Sequence, residues 1–228
     1  MLIGILQCGH FPQREGEPLR DYTTLYTEML QGNGFTFKTW SVVDMEFPAS
    51  VNDADGWLIS GSKHGAYDDL PFIAPLEDFI RDVYAAKVPL VGICFGHQIM
   101  AQALGGHVEL FKGGWSVGPV DYTFDGGETL GLNAWHKDQV ITPPKGARTI
   151  ASTDFCKHAA LAYEGPALSV QPHPEFQSRD VEMLLDLRAK GTVPDNLIEE
   201  GRAKIGAAND NEVIATRIAD FFKGASNG

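Results

Sequence analysis

The chain is poor in the features that most specialised partners require. It has no run of five or more basic residues, and 30 acidic side chains against 18 basic ones leave a formal net charge of −12 over 228 residues. Nucleic acid and anionic membranes reward Lys/Arg patches, so neither is expected as a partner. No apolar run approaches the ~20 residues needed to cross a bilayer. Cysteine is scarce: Cys8, Cys94 and Cys156 are odd in number and widely spaced, which argues against a disulfide framework or a Cys-x-x-Cys metal site. The start, Met1-Leu-Ile-Gly-Ile-Leu-Gln7, runs straight into a strand pattern instead of the basic region and long apolar core of a secretory signal. A reducing, cytoplasmic setting is therefore expected. With no internal repeat, low-complexity segment or linker, the length suits one domain over residues 1–228, with Gly224 to Gly228 expected to fray.

What is present is organised around Val88-Pro-Leu-Val-Gly-Ile-Cys94-Phe-Gly-His-Gln98 and the following residues to Gly105-Gly106. A short apolar run gives way to apolar residues at helical spacing (Ile99, Met100, Ala103, Leu104) and a Gly-Gly stop, which reads as strand, tight turn, helix. The turn, Gly92-x-Cys94-x-Gly96, is a cysteine version of the Gly-x-Ser-x-Gly nucleophile elbow. A cysteine after an apolar strand is more often a buried small hydrophobe. Two glycines at elbow spacing reverse that expectation, and a helix N-terminus favours the thiolate.

Before this element the chain reads as strand Leu2–Leu6, helix Asp21–Gln31, strand Phe35–Val43, strand Ala54–Ile59 and helix Ile73–Ala86. The alternation predicts a doubly wound, mostly parallel α/β sheet of flavodoxin type with helices on both faces. After Gly106, short strand-like pieces (Val108–Phe111, Val117–Phe124, Val140-Ile141, Thr149-Ile150, Ala159–Tyr163, Ala167–Val170) predict a small antiparallel extension or a second small sheet. The last third predicts a helix from Val181 to Lys190 capped by Ser178, and another from Glu212 to Lys223. Cys8 and His10 read as loop, His97 as a packing or hydrogen-bonding residue, Cys156 as structural, and His136-Lys137-Asp138 as a polar loop. Tyr67-Asp-Asp69 reads either as ordering the preceding loop or as capping the Ile73 helix.

A cysteine nucleophile needs a base, and His173-Pro174-Glu175 offers one. An extended course for Gln171 to Glu175 would put His173 and Glu175 on one side, the carboxylate holding the far nitrogen of the imidazole. The motif lacks two-His helical spacing, so no metal site is expected there. The loop Ser60-Gly-Ser-Lys-His-Gly65 follows a strand and can aim backbone N–H groups at one anion.

Taken together, Ile59-Ser-Gly-Ser62, Gly92-Ile-Cys-Phe-Gly-His-Gln98, Gly113-Gly-Trp-Ser-Val-Gly118, Trp135-His-Lys-Asp-Gln139 and Gln171-Pro-His-Pro-Glu-Phe176 resemble the class I (triad) glutamine amidotransferases, in particular their stand-alone, GMP-synthetase-like members. The resemblance implies Cys94 as nucleophile toward a γ-glutamyl amide, His173 as acid/base and Glu175 as its orienter. It also implies an oxyanion hole of backbone N–H groups at Phe95 and at Gly61 or Ser62, a substrate pocket involving Gln98 and backbone around Trp115 and Ser116, and no cofactor. Where family members often carry Ser-Gly-Gly-Pro, this chain has Ser60-Gly61-Ser62-Lys63. Three functions remain open at this point: glutamine hydrolysis supplying ammonia to a synthase subunit, free hydrolysis of γ-glutamyl amides or peptides, and a catalytically silent binding module. A small-molecule substrate is expected in the first two.

Overall fold

The computed structural model describes residues 1–225. Its central sheet has nine strands in the order β2-β1-β3-β4-β11-β10-β9-β6-β7. The first five are parallel: β1 (Leu2–Leu6), β2 (Thr36–Trp40), β3 (Gly56–Ile59), β4 (Leu90–Ile93) and β11 (Ala167–Val170). This 2-1-3-4-5 arrangement is the flavodoxin-like order, with its reversal beside β1. Beyond β11 the sheet continues antiparallel through β10 (Ala160–Ala162), β9 (Arg148–Ser152), β6 (Ser116–Phe124) and β7 (Thr129–His136). A separate two-stranded ribbon joins β5 (His107–Leu110) to β8 (Asp138–Thr142). Both readings of the post-Gly106 strands are thus realised except at Ala167–Val170, which pairs parallel with β4 and completes the parallel half, and the extension is larger than a small appendage.

β3 and β4 are buried along their whole lengths, as parallel strands covered on both faces must be. On one face, α1 (Tyr22–Met29) and α6 (Asn211–Ala225) pack Leu25, Tyr26, Ile214, Ile218 and Phe222 against the sheet. On the other, α2 (Ile73–Ala85) and α3 (Phe95–Ala103) contribute Leu76, Ile80, Val83, Ile99 and Met100. The strongly amphipathic spacing of α2 is what lets one stripe face β3 and β4 while the other stays wet. Two further helices, α4 (Ser178–Leu187) and α5 (Asp195–Ala203), follow β11.

Several expectations change. The second strand stops at Trp40, because Val42–Asp44 form a 3-10 turn closed by a left-handed Met45, and the link from β2 to β3 is made of two such turns without a helix. His136 and Asp138 are strand ends on either side of Lys137, not a polar loop. The Ser178 helix starts at Ser178 itself, since Gln177 and Asp180 form the capping box. Gly224 and Ala225, expected to fray, are the last residues of α6, and the rest of that expectation, on residues 226–228, lies outside the described residues. No helix among the described residues is long and apolar enough to cross a membrane.

Candidate active site

Cys94 stands between β4 and α3 with φ 55° and ψ −102°, a conformation a non-glycine residue holds only when its surroundings impose it. The imposition is visible on both sides: the Cys94 N–H donates to Val170 O (2.9 Å) and its carbonyl accepts from Gln98 N–H (3.1 Å). The side chain is thereby lifted out of the sheet onto the wall of a cavity of about 400 Å³ that His173 also lines. Cys94 is 5% exposed.

His173 arrives from the loop after β11. Its N–H donates to Asn133 O (2.8 Å), and Phe176 N–H donates to His173 O (3.2 Å), so His173-Pro174-Glu175 is a tight turn instead of the extended segment expected. The turn is anchored by Asn133 Nδ2 and Asn211 Nδ2, which both donate to Phe176 O at 2.9 and 2.7 Å. Within it, His173 Nδ1 lies 2.7 Å from Glu175 Oε1, with side chains 2% and 0% exposed. An ionised carboxylate only accepts, so Nδ1 carries the proton and Nε2 is left as the open nitrogen. The Phe176 ring stacks on the imidazole at 4.0 Å and 5°, fixing its plane. Burial opposes charge on His173, but the Cys94 and Glu175 charges outweigh it and push the imidazole up to about 10. The other two buried histidines behave oppositely: burial drives His97 and His136 down to about 3, with the His173 charge adding to the effect at His136. Neither competes as a charged acid near neutral pH. His97 is spent on a 2.8 Å hydrogen bond to Ser169, as a packing role requires.

This geometry can be set beside known proteins. The family model for glutamine amidotransferase class-I matches residues 20–186. The chain belongs to the class I glutamine amidotransferase family. Among relatives, it is 29% identical over 224 residues to a glutamine amidotransferase-like protein of Schizosaccharomyces pombe, covering 89% of this chain and 90% of that one. It is 28% identical over 219 residues to gamma-glutamyl peptidase 2 of Arabidopsis thaliana, covering 89% and 88%. The match to the GMP synthase of Shewanella loihica is 30% identical and covers 85% of this chain but 41% of that one. A solved glutamine amidotransferase from Methylobacillus flagellatus shares the fold, with TM-score 0.74, 21% identity and coverage of 99% and 93%. The protein is a hydrolase of the amidotransferase type, and its sheet is the flavodoxin-like sheet of that family.

The remaining residues implied by membership are distributed unevenly. Gln98 lines the cavity, but its Nε2 already donates to Asp138 O (2.9 Å) and Gln171 Oε1 (3.1 Å), leaving Oε1 for a ligand. Trp115 also lines the cavity and meets Trp135 edge-on at 6.0 Å. Ser116 is one step beyond the cavity wall, the first residue of β6 and paired with His136. Gly61 departs from expectation: its N–H donates to Tyr26 Oη (3.1 Å) and is not offered to the cavity. The loop is held this way by Ser60 Oγ, which accepts Cys8 N–H and donates to Gly61 O, and by Ser62 Oγ, which donates to Cys8 O, each at 2.8 Å. Of the other two residues expected to supply oxyanion donors, Ser62 lines the cavity, and Phe95 stands at the first position of α3, where its N–H has no helical acceptor. Asp68 settles the Tyr67-Asp-Asp69 question by accepting Gly65 N–H (2.8 Å): the segment orders the loop, and α2 has no side-chain cap.

Tyr26 is the residue that sequence reasoning missed. Fully buried on α1, it takes Gly61 N–H and gives its own O–H to Glu175 Oε1 (3.2 Å), so one hydroxyl ties the loop after β3 to the acid of the His-Glu pair. In the sequence Tyr26 is one apolar member of a helical stripe, and nothing local distinguishes it from Leu25.

Proposed function

We propose that the protein is a free-standing γ-glutamyl amide or peptide hydrolase acting through Cys94, His173 and Glu175. The supporting observation is the cavity. It extends from Cys94 well past the room that ammonia as a leaving group requires, and charged side chains (Lys63, Asp68, Lys137, Arg188) ring it. Among the described residues, only Tyr67 and Leu110 of the exposed large apolar side chains reach its wall, and Tyr67 Oη is bonded to Asp138 (3.0 Å). A stable synthase subunit would need a core of apolar interface around the mouth. Relatives named gamma-glutamyl peptidases, matched over most of their length, support the same reading.

In this reading the Cys94 thiolate attacks the γ-carbonyl carbon, and the oxyanion is held by Ser62 and Phe95 N–H. The His173 imidazolium gives its Nε2 proton to the departing amine, and the C–N bond breaks to leave a γ-glutamyl thioester. Neutral His173 then takes a proton from water, whose oxygen attacks the thioester; glutamate leaves, and thiolate and imidazolium are restored. Glu175 holds the tautomer throughout, and Gln98 and Trp115 border the glutamyl half. Free thiols at Cys8, Cys94 and Cys156 fit a reducing, cytoplasmic setting.

Because the leaving amine must be protonated by the imidazolium, activity is lost as pH rises through the raised pKa of His173. The alkaline limb of kcat/KM is therefore expected near pH 10 instead of the ~6.5 of an unperturbed histidine. A pH–rate profile on a γ-glutamyl amide whose own ionisation lies outside that range measures it, and a limb at 6.5 would count against the paired thiolate–imidazolium.

The functional reading is tested with purified protein alone. Gamma-glutamyl dipeptides are expected to be cleaved with kcat/KM at least about tenfold above glutamine, equivalent to ~1.4 kcal/mol of transition-state binding. Silence on all substrates, with Cys94 still alkylated by a glutamine-like electrophile, would instead identify an ammonia donor awaiting its synthase; no alkylation would identify a silent module.

A further inference from the structure

Of the eight arginines, seven are ion-paired with an aspartate or glutamate, and Arg188 alone has no such partner among the described residues. Arg188 is the C-cap residue of α4, half-buried, on the wall of the cavity that holds Cys94 and His173. In a chain of net charge −12 carboxylates are plentiful, so an arginine left unpaired in a partly desolvated wall has no explanation in the fold. A second cation stands with it. His64, on the same wall, is held below its usual range by burial first, then by the charge of Lys63, with Arg188 adding to the effect and Asp68 opposing it. Lys63, His64 and Arg188 all line this cavity, and the charges of Lys63 and Arg188 both disfavour a proton on His64. The acids that share the cavity are committed elsewhere, Asp68 to Gly65 N–H and Asp138 to Tyr67 Oη.

We propose that Arg188, with Lys63 on the same cavity wall, is a subsite for a carboxylate on the amine half of the substrate, so that the preferred substrates are γ-glutamyl amino acids or peptides with a free carboxylate. This rests on the hydrolase reading above. Arg188 and Lys63 come from the end of α4 and the loop after β3, whereas Gln98 and Trp115, which border the glutamyl half, come from α3 and the entry to β6. A guanidinium matches a carboxylate with two parallel hydrogen bonds, which an uncharged amide terminus cannot replace. Glutamine, whose leaving group is ammonia, draws nothing from this subsite.

The test compares γ-glutamylglycine with γ-glutamylglycinamide, which differ in the terminal carboxylate. Wild-type protein is expected to favour the carboxylate by about tenfold in kcat/KM, mostly through KM, as expected for one charge-assisted pair. Arg188→Gln should collapse that ratio toward one, and Arg188→Lys should retain part of it. A ratio unchanged in Arg188→Gln, whether both rates hold or both fall together, overturns the proposal; the latter result would assign Arg188 to the glutamyl half or to stability. Binding supplies a readout free of turnover. In a Cys94→Ala background, calorimetry should give tighter binding of γ-glutamylglycine than of the amide, and adding Arg188→Gln should remove the difference. Equal binding of the two ligands overturns the subsite. Unequal binding with no turnover by wild type would instead overturn the hydrolase reading and leave the subsite standing.

Discussion

Cys94→Ala is expected to remove turnover of γ-glutamyl substrates by on the order of 10⁴-fold or more in kcat while leaving the protein folded. The size follows from the proposed mechanism having no second route: without the sulfur no thioester would form, and backbone oxyanion donors alone would give only residual catalysis. The other two thiols cannot substitute. Cys8 and Cys156 are 0% and 2% exposed, and burial pushes both thiols up, Cys156 to about 12. Neither lines the cavity. A companion variant separates chemistry from backbone strain. Holding a non-glycine residue at φ 55° costs on the order of 1–3 kcal/mol, which glycine at the same place does not incur, against ~1 kcal/mol of extra backbone entropy. Cys94→Gly should therefore be as inactive as Cys94→Ala yet at least as stable as wild type in urea. Initial rates and equilibrium unfolding on the three proteins decide both points. An alanine variant retaining more than about a hundredth of the wild-type rate would place the nucleophile elsewhere.

The parts of the site that could be read from the chain alone share one property: their chemistry is packed into a few consecutive residues. Gly92-x-Cys94-x-Gly96 is a strand, a turn and a helix start within a single window, and the glycines report the sharpness of the turn directly. His173-Pro174-Glu175 was legible as a pair for the same reason, although the segment is a turn and not extended. What escaped depends on contacts between distant segments. Tyr26 meets Glu175 across 149 positions, and its helical stripe looks like ordinary core. The direction of the Gly61 N–H is a property of a loop tied to Cys8 through Ser60 and Ser62, which residue type does not encode. Arg188 is notable only for the carboxylate it lacks, a fact that exists only once every other arginine has found one. Among elements, α5 went unread because its two partly buried apolar residues, Leu197 and Ile198, are adjacent and form no stripe. In β7 the strand runs unbroken into His136, with only Lys137 separating it from β8.

Gly96→Ala should be the most damaging single methyl added to the protein. A Cβ there would lie 2.3 Å from Ile59 O and 3.0 Å from the carbonyl carbon, both backbone atoms of β3. Backbone in the middle of a parallel sheet cannot swing aside as a long side chain can, so relief requires moving the start of α3 or the end of β3. Either motion reaches the site: α3 carries Phe95 N–H, and β3 leads directly into Ser60 to Ser62. Gly92 is confined in the same way from the other side, its Cβ 2.4 Å from Gly96 O and 2.6 Å from Met100 Sδ. Alanine is preferred over glycine inside a helix by roughly 1 kcal/mol, which works in favour of the substitution. Overpacking against fixed backbone costs roughly 3 kcal/mol or more, so the clash wins and net destabilisation of about 2 kcal/mol or more is expected. Gly105→Ala supplies the control, because that position has φ 94° with nothing within 4 Å and so carries left-handed strain without a clash. In denaturant titration Gly96→Ala should fall well below Gly105→Ala, and its folded fraction should also have lost activity, since the displaced loop would no longer present Ser62 N–H as the proposed oxyanion donor. Equal stability of the two variants would mean that the close approach of α3 to β3 is not what holds the elbow in shape.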